Sequence, residues 1–263
     1  MSFRHRARKR FGQNFLVDGN IIARMIRAIA PEPGQQLVEI GPGLGALTLP
    51  LLQAVGRLQA VELDRDLVAE LARRCQGAGE LVIHQGDALR FDFASLRENE
   101  QPLRIVGNLP YNISTPLIFH LLDYADIIAD MHFTLQKEVV DRLAARVGDD
   151  AYGRLSVMVQ YHCRVERLFN IAPGAFRPVP QVDSAFVRLI PHRSKPIEVN
   201  DVAVFSRLVA QAFSQRRKTL RNTLKGLLDE EQIRAAGVDP ALRPEQVDLA
   251  GFAALAGQLP ARS

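Results

Sequence analysis

Apolar residues recur along this chain with two different periods. Ile21, Ile22, Met25, Ile26 and Ile29 lie three or four apart, which predicts a helix preceded by Asp18-Gly19 and stopped by Pro31. From Leu37 onward the pattern changes to short apolar runs. Residues 37–40, 58–61, 81–83, 105–106 and 131–135 read as buried strands, with helical stretches such as 67–75 and 116–122 between most of them. Strands alternating with helices argue for a parallel sheet covered on both faces. Beyond residues 139–147 come two strand-like runs, 164–169 and 184–190, close enough to form a final hairpin at one sheet edge. Residues 191–196 (PHRSKP) read as a linker, and only helical patterns follow. The expected architecture is α/β: a parallel-sheet domain with helices on both faces over residues 1–192 and a small all-helical domain over 197–263. Residues 1–18 form a basic N-terminal segment of the first. There is no internal repeat and no low-complexity stretch.

Composition narrows the class. At 263 residues, 47% of them apolar and 24% charged, the chain has enough material for one large packed domain and a small one. No apolar run is long enough to span a bilayer, and the basic N-terminus is not followed by a hydrophobic stretch, so a cytoplasmic protein without membrane contact is expected. Cys75 and Cys163 have no Cys or His partners at metal-ligand spacing, and two thiols make no disulfide framework. They read as core residues in a reducing compartment, and no metal is expected.

Charge distribution adds a partner. The net charge of +4 conceals five Arg or Lys and no acid in residues 1–10, and the same count in residues 211–225. Removing these ten cations leaves −6 for the rest. An acidic body with two concentrated basic patches points to a polyanion, and two such patches favour nucleic acid over two solvated faces. Arg8, Lys9 and Arg10 carry the first patch. In the second, Arg217, Arg221 and Lys225 recur every four residues and predict one stripe of a helix, flanked by Arg216 and Lys218. Phe213, Leu220, Leu224 and Leu227 predict its apolar side.

The chemistry begins at residues 38–46, VEIGPGLGA. Gly41, Gly43 and Gly45 follow a strand and open a helix, where glycine permits a sharp turn and close approach of a ligand. With Ala46 they loosely fit a dinucleotide fingerprint, so a nicotinamide enzyme and a plain structural turn both remain open. Residues 37–56 contain no Lys or Arg, and Glu39 stands just before the glycines, which suits a cationic ligand better than a pyrophosphate. Glu62 ends the second long strand, where a carboxylate can accept from ribose hydroxyls. Asp87, followed by Ala88, lies just past the third, where it can accept from an adenine amine. Acids in a row at the carboxyl ends of parallel strands match S-adenosylmethionine.

Residues 107–116 read GNLPYNISTP. Asn108 follows the fourth strand and belongs at the same edge. The exocyclic nitrogen of adenine is a poor nucleophile because its lone pair is delocalised into the ring. Two acceptors, the Asn108 amide oxygen and the carbonyl of Leu109 or Pro110, can hold its hydrogens out of plane and turn the lone pair toward a methyl group. Pro110 stiffens the loop, and Tyr111 can stack on the base. Catalysis is then alignment plus electrostatics, without metal or covalent nucleophile, the proton leaving to water. An Asx turn with Tyr111 packed in the core is the competing structural reading.

KRFGQNFL at 9–16, VEIGPGLGALT at 38–48, GDAL at 86–89, NLPYNIST at 108–115, FRPVPQVDSA at 176–185 and FSQRRKTLRN at 213–222 form an ordered set over nearly the whole chain. In that set the sequence resembles the KsgA/RsmA/Dim1 family of ribosomal RNA adenine dimethyltransferases, within the Rossmann-like S-adenosylmethionine-dependent methyltransferases. The resemblance implies transfer of two methyl groups to each of two adjacent adenosines near the 3′ end of small-subunit ribosomal RNA. It implies a pre-ribosomal 30S particle as partner; a monomeric enzyme is expected. It places Asn14 and Leu16 at the cofactor, with Gly41, Glu62, Asp87 and Asn108. Phe176, in the intact F-x-P-x-P pattern, is expected as the second wall of the base pocket opposite Tyr111, with a plain core phenylalanine as the competing reading. A large-subunit adenine methyltransferase of the antibiotic-resistance type shares the glycine loop and NLPY. A nicotinamide oxidoreductase and a non-catalytic assembly factor are further competing functions.

Overall fold

The computed structural model describes residues 13–215 and 217–260; Arg8, Lys9, Arg10 and Arg216 lie outside them. In chain order the elements begin with β1 (Phe15–Leu16), α1 (Gly19–Ile29), β2 (Leu37–Ile40), α2 (Thr48–Val55), β3 (Arg57–Glu62), α3 (Arg65–Arg74), β4 (Glu80–Gln85), β5 (Leu103–Asn108) and α4 (Ser114–Leu122). They continue with β6 (Ile128–Gln136), α5 (Lys137–Ala144), α6 (Arg154–His162), β7 (Cys163–Ile171), β8 (Phe176–Arg177) and β9 (Ser184–Pro191). The last four helices are α7 (Val202–Ala212), α8 (Leu220–Thr223), α9 (Glu230–Ala235) and α10 (Leu249–Gly257).

Seven strands form one sheet in the order β4-β3-β2-β5-β6-β9-β7, and β1 pairs with β8 in a separate two-stranded ladder. The pairings β2–β3, β3–β4, β2–β5 and β5–β6 are parallel, and β9 runs antiparallel to β6. The expected strand pair at the edge is present, with β9 inserted between β6 and β7. Growth of the sheet proceeds outward from β2 through β3 and β4, then resumes on the other side with β5. This switch point leaves a crevice at the carboxyl ends of β2 and β5. Every residue of β2 is buried, including Glu39, whereas the edge strand β4 is only half-buried.

Local signals set the boundaries of α1. The Asp18 carboxylate accepts from the Asn20 and Ile21 amides at its start, and Ala30 ends it with a left-handed φ of 46° just before Pro31. Met25 and Ile29 carry its inner face into a core shared with Leu51, Leu52, Val55, Phe169 and Phe186.

The chain forms two compact units: residues 13–140 with Val165–Pro191, and Asp141–Arg164 with residues 192–260. Residues 141–164, which the sequence pattern assigns to the first domain, lie in the second, where the Tyr161 ring of α6 sits 5.1 Å from Phe205 of α7. Helix α6 escapes the pattern because Ser156, Val157, Met158, Val159 and Tyr161 are all buried, so it shows no single apolar face to read. Among the described residues no helix is long and apolar enough to cross a membrane.

The expected basic helix is interrupted. Helix α7 ends at Ala212, the backbone at Thr219 is extended (φ −77°, ψ 163°), and α8 begins only at Leu220. The Leu220 and Arg221 amides donate to the Leu242 and Pro240 carbonyls, replacing helical hydrogen bonds with tertiary ones. Arg217, Lys218, Arg221 and Lys225 are all exposed, but they occupy a loop, a single turn and its exit, not one stripe. The apolar partners Leu220 and Leu224 are fully buried.

Candidate functional site

A cavity of about 350 Å³ opens at the carboxyl ends of β2, β3 and β5, a size suited to a small-molecule ligand. Gly41, Gly43, Glu62, Asp87, Ala88, Asn108, Leu109, Pro110 and Tyr111 all line it, joined by Asn14 and Leu16 from the N-terminal segment. The tertiary structure thus gathers residues that the chain spreads over nearly a hundred positions.

The glycine turn is held by the acid that the sequence singles out. Glu62 is buried, and its two oxygens accept from the Gly43 amide at 3.1 Å and the Asp64 amide at 2.7 Å. Burial nevertheless raises its pKa, outweighing these donors. Gly43 has φ 57°, and a Cβ placed there would meet the Phe15 ring at 3.1 Å. Both the backbone and the packing therefore favour glycine.

Asp87 Oδ1 accepts from the Leu89 amide at 3.0 Å in an Asx turn that carries Asp87 and Ala88 to the cavity wall. Gln13 reaches in from the N-terminal segment and donates to Asp64 Oδ2 at 3.2 Å. The lining includes four carboxylates, those of Glu39, Glu62, Asp64 and Asp87, and, among the described residues, no Lys, Arg or His. Such a surface suits a positively charged ligand and is a poor host for phosphate.

At the far side, Asn108 ends β5 opposite Thr134 of β6. Its Nδ2 donates to the Asn14 carbonyl at 2.8 Å, and its Oδ1 accepts no hydrogen bond among the described residues. The amide is thereby oriented with its acceptor end unspent. The Pro110 carbonyl accepts from the Ile113 amide at 3.2 Å, whereas the Leu109 carbonyl has no such partner among the described residues. Tyr111 is neither free nor packed away. Its hydroxyl hydrogen-bonds the buried Ser184 hydroxyl at 2.6 Å, and burial raises the phenol pKa.

Phe176 departs from expectation. It is fully buried, sits in the core cluster, and pairs with Leu16 across the β1–β8 ladder. It does not line the cavity, because the N-terminal segment lies across it. The aromatic rings that do line it are Phe15 and Tyr111. Phe15 stands between Asn14 and Leu16 in the chain, but its contact with Gly43 has no signature in spacing, so the sequence does not mark it. The charge of Glu39 is legible in the sequence; its burial in the cavity wall is not. Among the described residues no group of three His, Cys, Asp or Glu is placed to hold a metal.

A switch-point crevice whose lining is acid-rich and, among the described residues, free of Lys, Arg and His, with an amide presented at its rim, fits a Rossmann-like S-adenosylmethionine-dependent methyltransferase. The family model described as ribosomal RNA adenine dimethylase matches residues 4–256, and the chain belongs to that family. It is 62% identical to Ribosomal RNA small subunit methyltransferase A of Pseudomonas aeruginosa over 98% of this chain and 96% of that protein. Among solved structures, a dimethyladenosine transferase from Plasmodium falciparum superposes with a TM-score of 0.77 at 27% identity, covering 92% of this chain and 95% of the other. The 23S rRNA methyltransferase ErmE superposes with a TM-score of 0.72 at 25% identity, covering 94% and 99%.

Proposed function

We propose that the protein dimethylates the N6 amines of two adjacent adenosines near the 3′ end of small-subunit (16S) ribosomal RNA, using S-adenosylmethionine. In this reading it acts as a cytoplasmic monomer on a pre-ribosomal 30S particle. The 62% identity to a small-subunit enzyme, against 25% to the large-subunit ErmE, favours the small-subunit substrate.

The residues divide the work. Glu62 takes the ribose hydroxyls, Asp87 and the Ala88 backbone take the adenine edge, and Gly41 and Gly43 let the ligand approach the main chain. Asn14 and Leu16 close the site from the N-terminal segment. S-adenosylmethionine, when bound, supplies an electrophilic methyl group on a positively charged sulfur.

The observation that carries the mechanism is the hydrogen bond from Asn108 Nδ2 to the Asn14 carbonyl. It leaves Oδ1 to accept one N6 hydrogen of the target adenine. The unspent Leu109 carbonyl accepts the other, in preference to that of Pro110, which is already engaged by Ile113. Held this way, the nitrogen lone pair would leave conjugation and be free to attack the methyl group, and the proton that the nitrogen then carries in excess would leave to water. After one transfer a single N–H remains, and one of the two acceptors suffices to hold the amine for the second. The Tyr111 ring, fixed by Ser184, stacks on the base. Arg217, Lys218, Arg221 and Lys225, with Arg8, Lys9, Arg10 and Arg216, contact phosphates and position the RNA without reading its sequence.

The test is mass spectrometry of adenine methylation after incubation with S-adenosylmethionine and undermethylated small subunits, with large-subunit RNA as control. Dimethyladenosine at two adjacent small-subunit positions is expected. Dimethylation of large-subunit RNA alone would move the protein to the resistance-type group, and RNA binding without methylation would leave an assembly factor.

A further inference from the structure

Glu39 is 2% exposed on the central strand yet lines the cavity, and its Oε2 has no hydrogen-bond partner among the described residues. Glu62 shows the contrast: it is also buried, but two backbone amides serve its oxygens. Among the described residues, the groups around Glu39 offer no compensating positive charge. Thr48 approaches from α2, and the carboxylates of Glu62, Asp64 and Asp87 share the cavity. Cys75, at the end of α3, is raised by burial and by the charge of Glu39. Arg74 of α3 is held by Glu70 at 2.6 Å and by the Leu44 carbonyl at 2.9 Å. An ionised carboxylate buried without a cation is unfavourable, so such a group takes up a proton instead. Burial, with a smaller contribution from the Glu62 charge and against the pull of Thr48, pushes the Glu39 pKa up to about 8.

We propose that Glu39 is a neutral acid in the free protein and gives up its proton as the positively charged cofactor enters. The O–H bond breaks heterolytically, the proton leaves to solvent, and the carboxylate that remains pairs with the cofactor's charge; no other bond is made or broken. Loss of one positive charge on methyl transfer favours the acid form again, and Glu39 takes a proton back from solvent, so it returns to its starting state with each cycle. The inference rests on reading the cavity as the cofactor site and adds a proton to the binding equilibrium. At a pH below the Glu39 value, cofactor affinity falls about tenfold per unit.

Isothermal titration calorimetry of the full chain with S-adenosylmethionine, in two buffers of different ionisation enthalpy at about pH 6.5, counts the protons released. Close to one proton is expected for the wild type, with affinity rising to a plateau near pH 8. Glu39→Gln should bind without that proton and without that pH dependence, whereas Glu62→Gln at saturating cofactor should still release it. Binding by the wild type without proton release, or release that persists in Glu39→Gln, would overturn the inference while leaving the cofactor site in place. Failure of the wild type to bind at all would overturn the site itself. If Glu39→Gln does not fold, infrared difference spectra of the wild type serve instead. A carboxylic-acid band that disappears on adding cofactor is expected, and its persistence counts against the proposal.

Discussion

Asn108 and Asn14, 94 positions apart in the chain, are joined by a 2.8 Å hydrogen bond from the side-chain amide of one to the main-chain carbonyl of the other. That bond decides which end of the Asn108 amide is left to face the cavity. Asn108→Asp keeps the shape but replaces the donor with an oxygen, which would repel the Asn14 carbonyl. Single-turnover methyl transfer should slow by ~10²–10³, the usual cost of removing one aligned polar group from a transition state. Cofactor affinity measured by calorimetry should change far less. Equal losses in both would place Asn108 in binding alone.

Ser184 anchors the other end of the same loop. Removing its hydroxyl leaves the Tyr111 phenol without its protein partner. Ser184→Ala should raise the KM for RNA while leaving cofactor affinity unchanged, and should cost about 1–3 kcal/mol of stability if the phenol stays buried. Steady-state kinetics with RNA as the varied substrate, beside chemical denaturation, measures both. An unchanged KM would mean that the ring needs no tether.

A side chain at Gly43 is strained. An alanine there meets Phe15 at 3.1 Å and must hold φ 57°, a strain of roughly 1–2 kcal/mol. Gly43→Ala is expected to weaken cofactor binding about tenfold, and Phe15→Ala in the same chain should restore part of it by making room. Calorimetric titration of the single and double variants decides.

His132 gives the fold an acid-sensitive centre. It is completely buried, with Asp130 3.8 Å away and the Ala28 backbone beside its ring. Burial pushes its pKa down to about 4. Asp130 behaves oppositely. Burial works against its charge, but Arg104, His132 and Arg188 outweigh that and hold its pKa low. A group whose folded pKa is depressed contributes stability above its unfolded value and loses it as pH falls. For His132 the window runs from about pH 6.5 down to about 4, where the unfolded chain binds the extra proton. Urea denaturation should therefore show stability falling through that window, and His132→Leu should flatten the slope. A slope unchanged by the substitution would exclude His132 as its source.

The exposed cations between the C-terminal helices should act as point charges. Replacing Arg217, Lys218, Arg221 and Lys225 with Gln should lower the salt dependence of RNA binding by about 0.7 in log–log slope for each phosphate no longer neutralised. Affinity measured across a salt series checks it. An unchanged slope would leave these residues as a solvated surface.

The sequence alone determined the strands, their parallel arrangement and which residues stand at one edge of the sheet; the strand order that makes the switch point came from the tertiary structure. Alternating apolar runs report burial directly, and Gly41, Glu62, Asp87 and Asn108 each sit at a fixed step from a strand end, where the main chain delivers them to one rim whatever else folds around them. The break between Ala212 and Leu220 was not legible, since four-residue charge spacing is compatible with a helix and only the carbonyls of Pro240 and Leu242 make the extended turn favourable. Nor was the burial of Phe176, which depends on β1 laying itself against β8. The orientation of Asn108 belongs to the same kind. Its partner is a main-chain carbonyl, identical at every residue, so no side-chain pattern can announce it. Periodicity and turn chemistry are encoded within a few neighbouring residues; which distant backbone meets which side chain is settled only by the path of the whole chain.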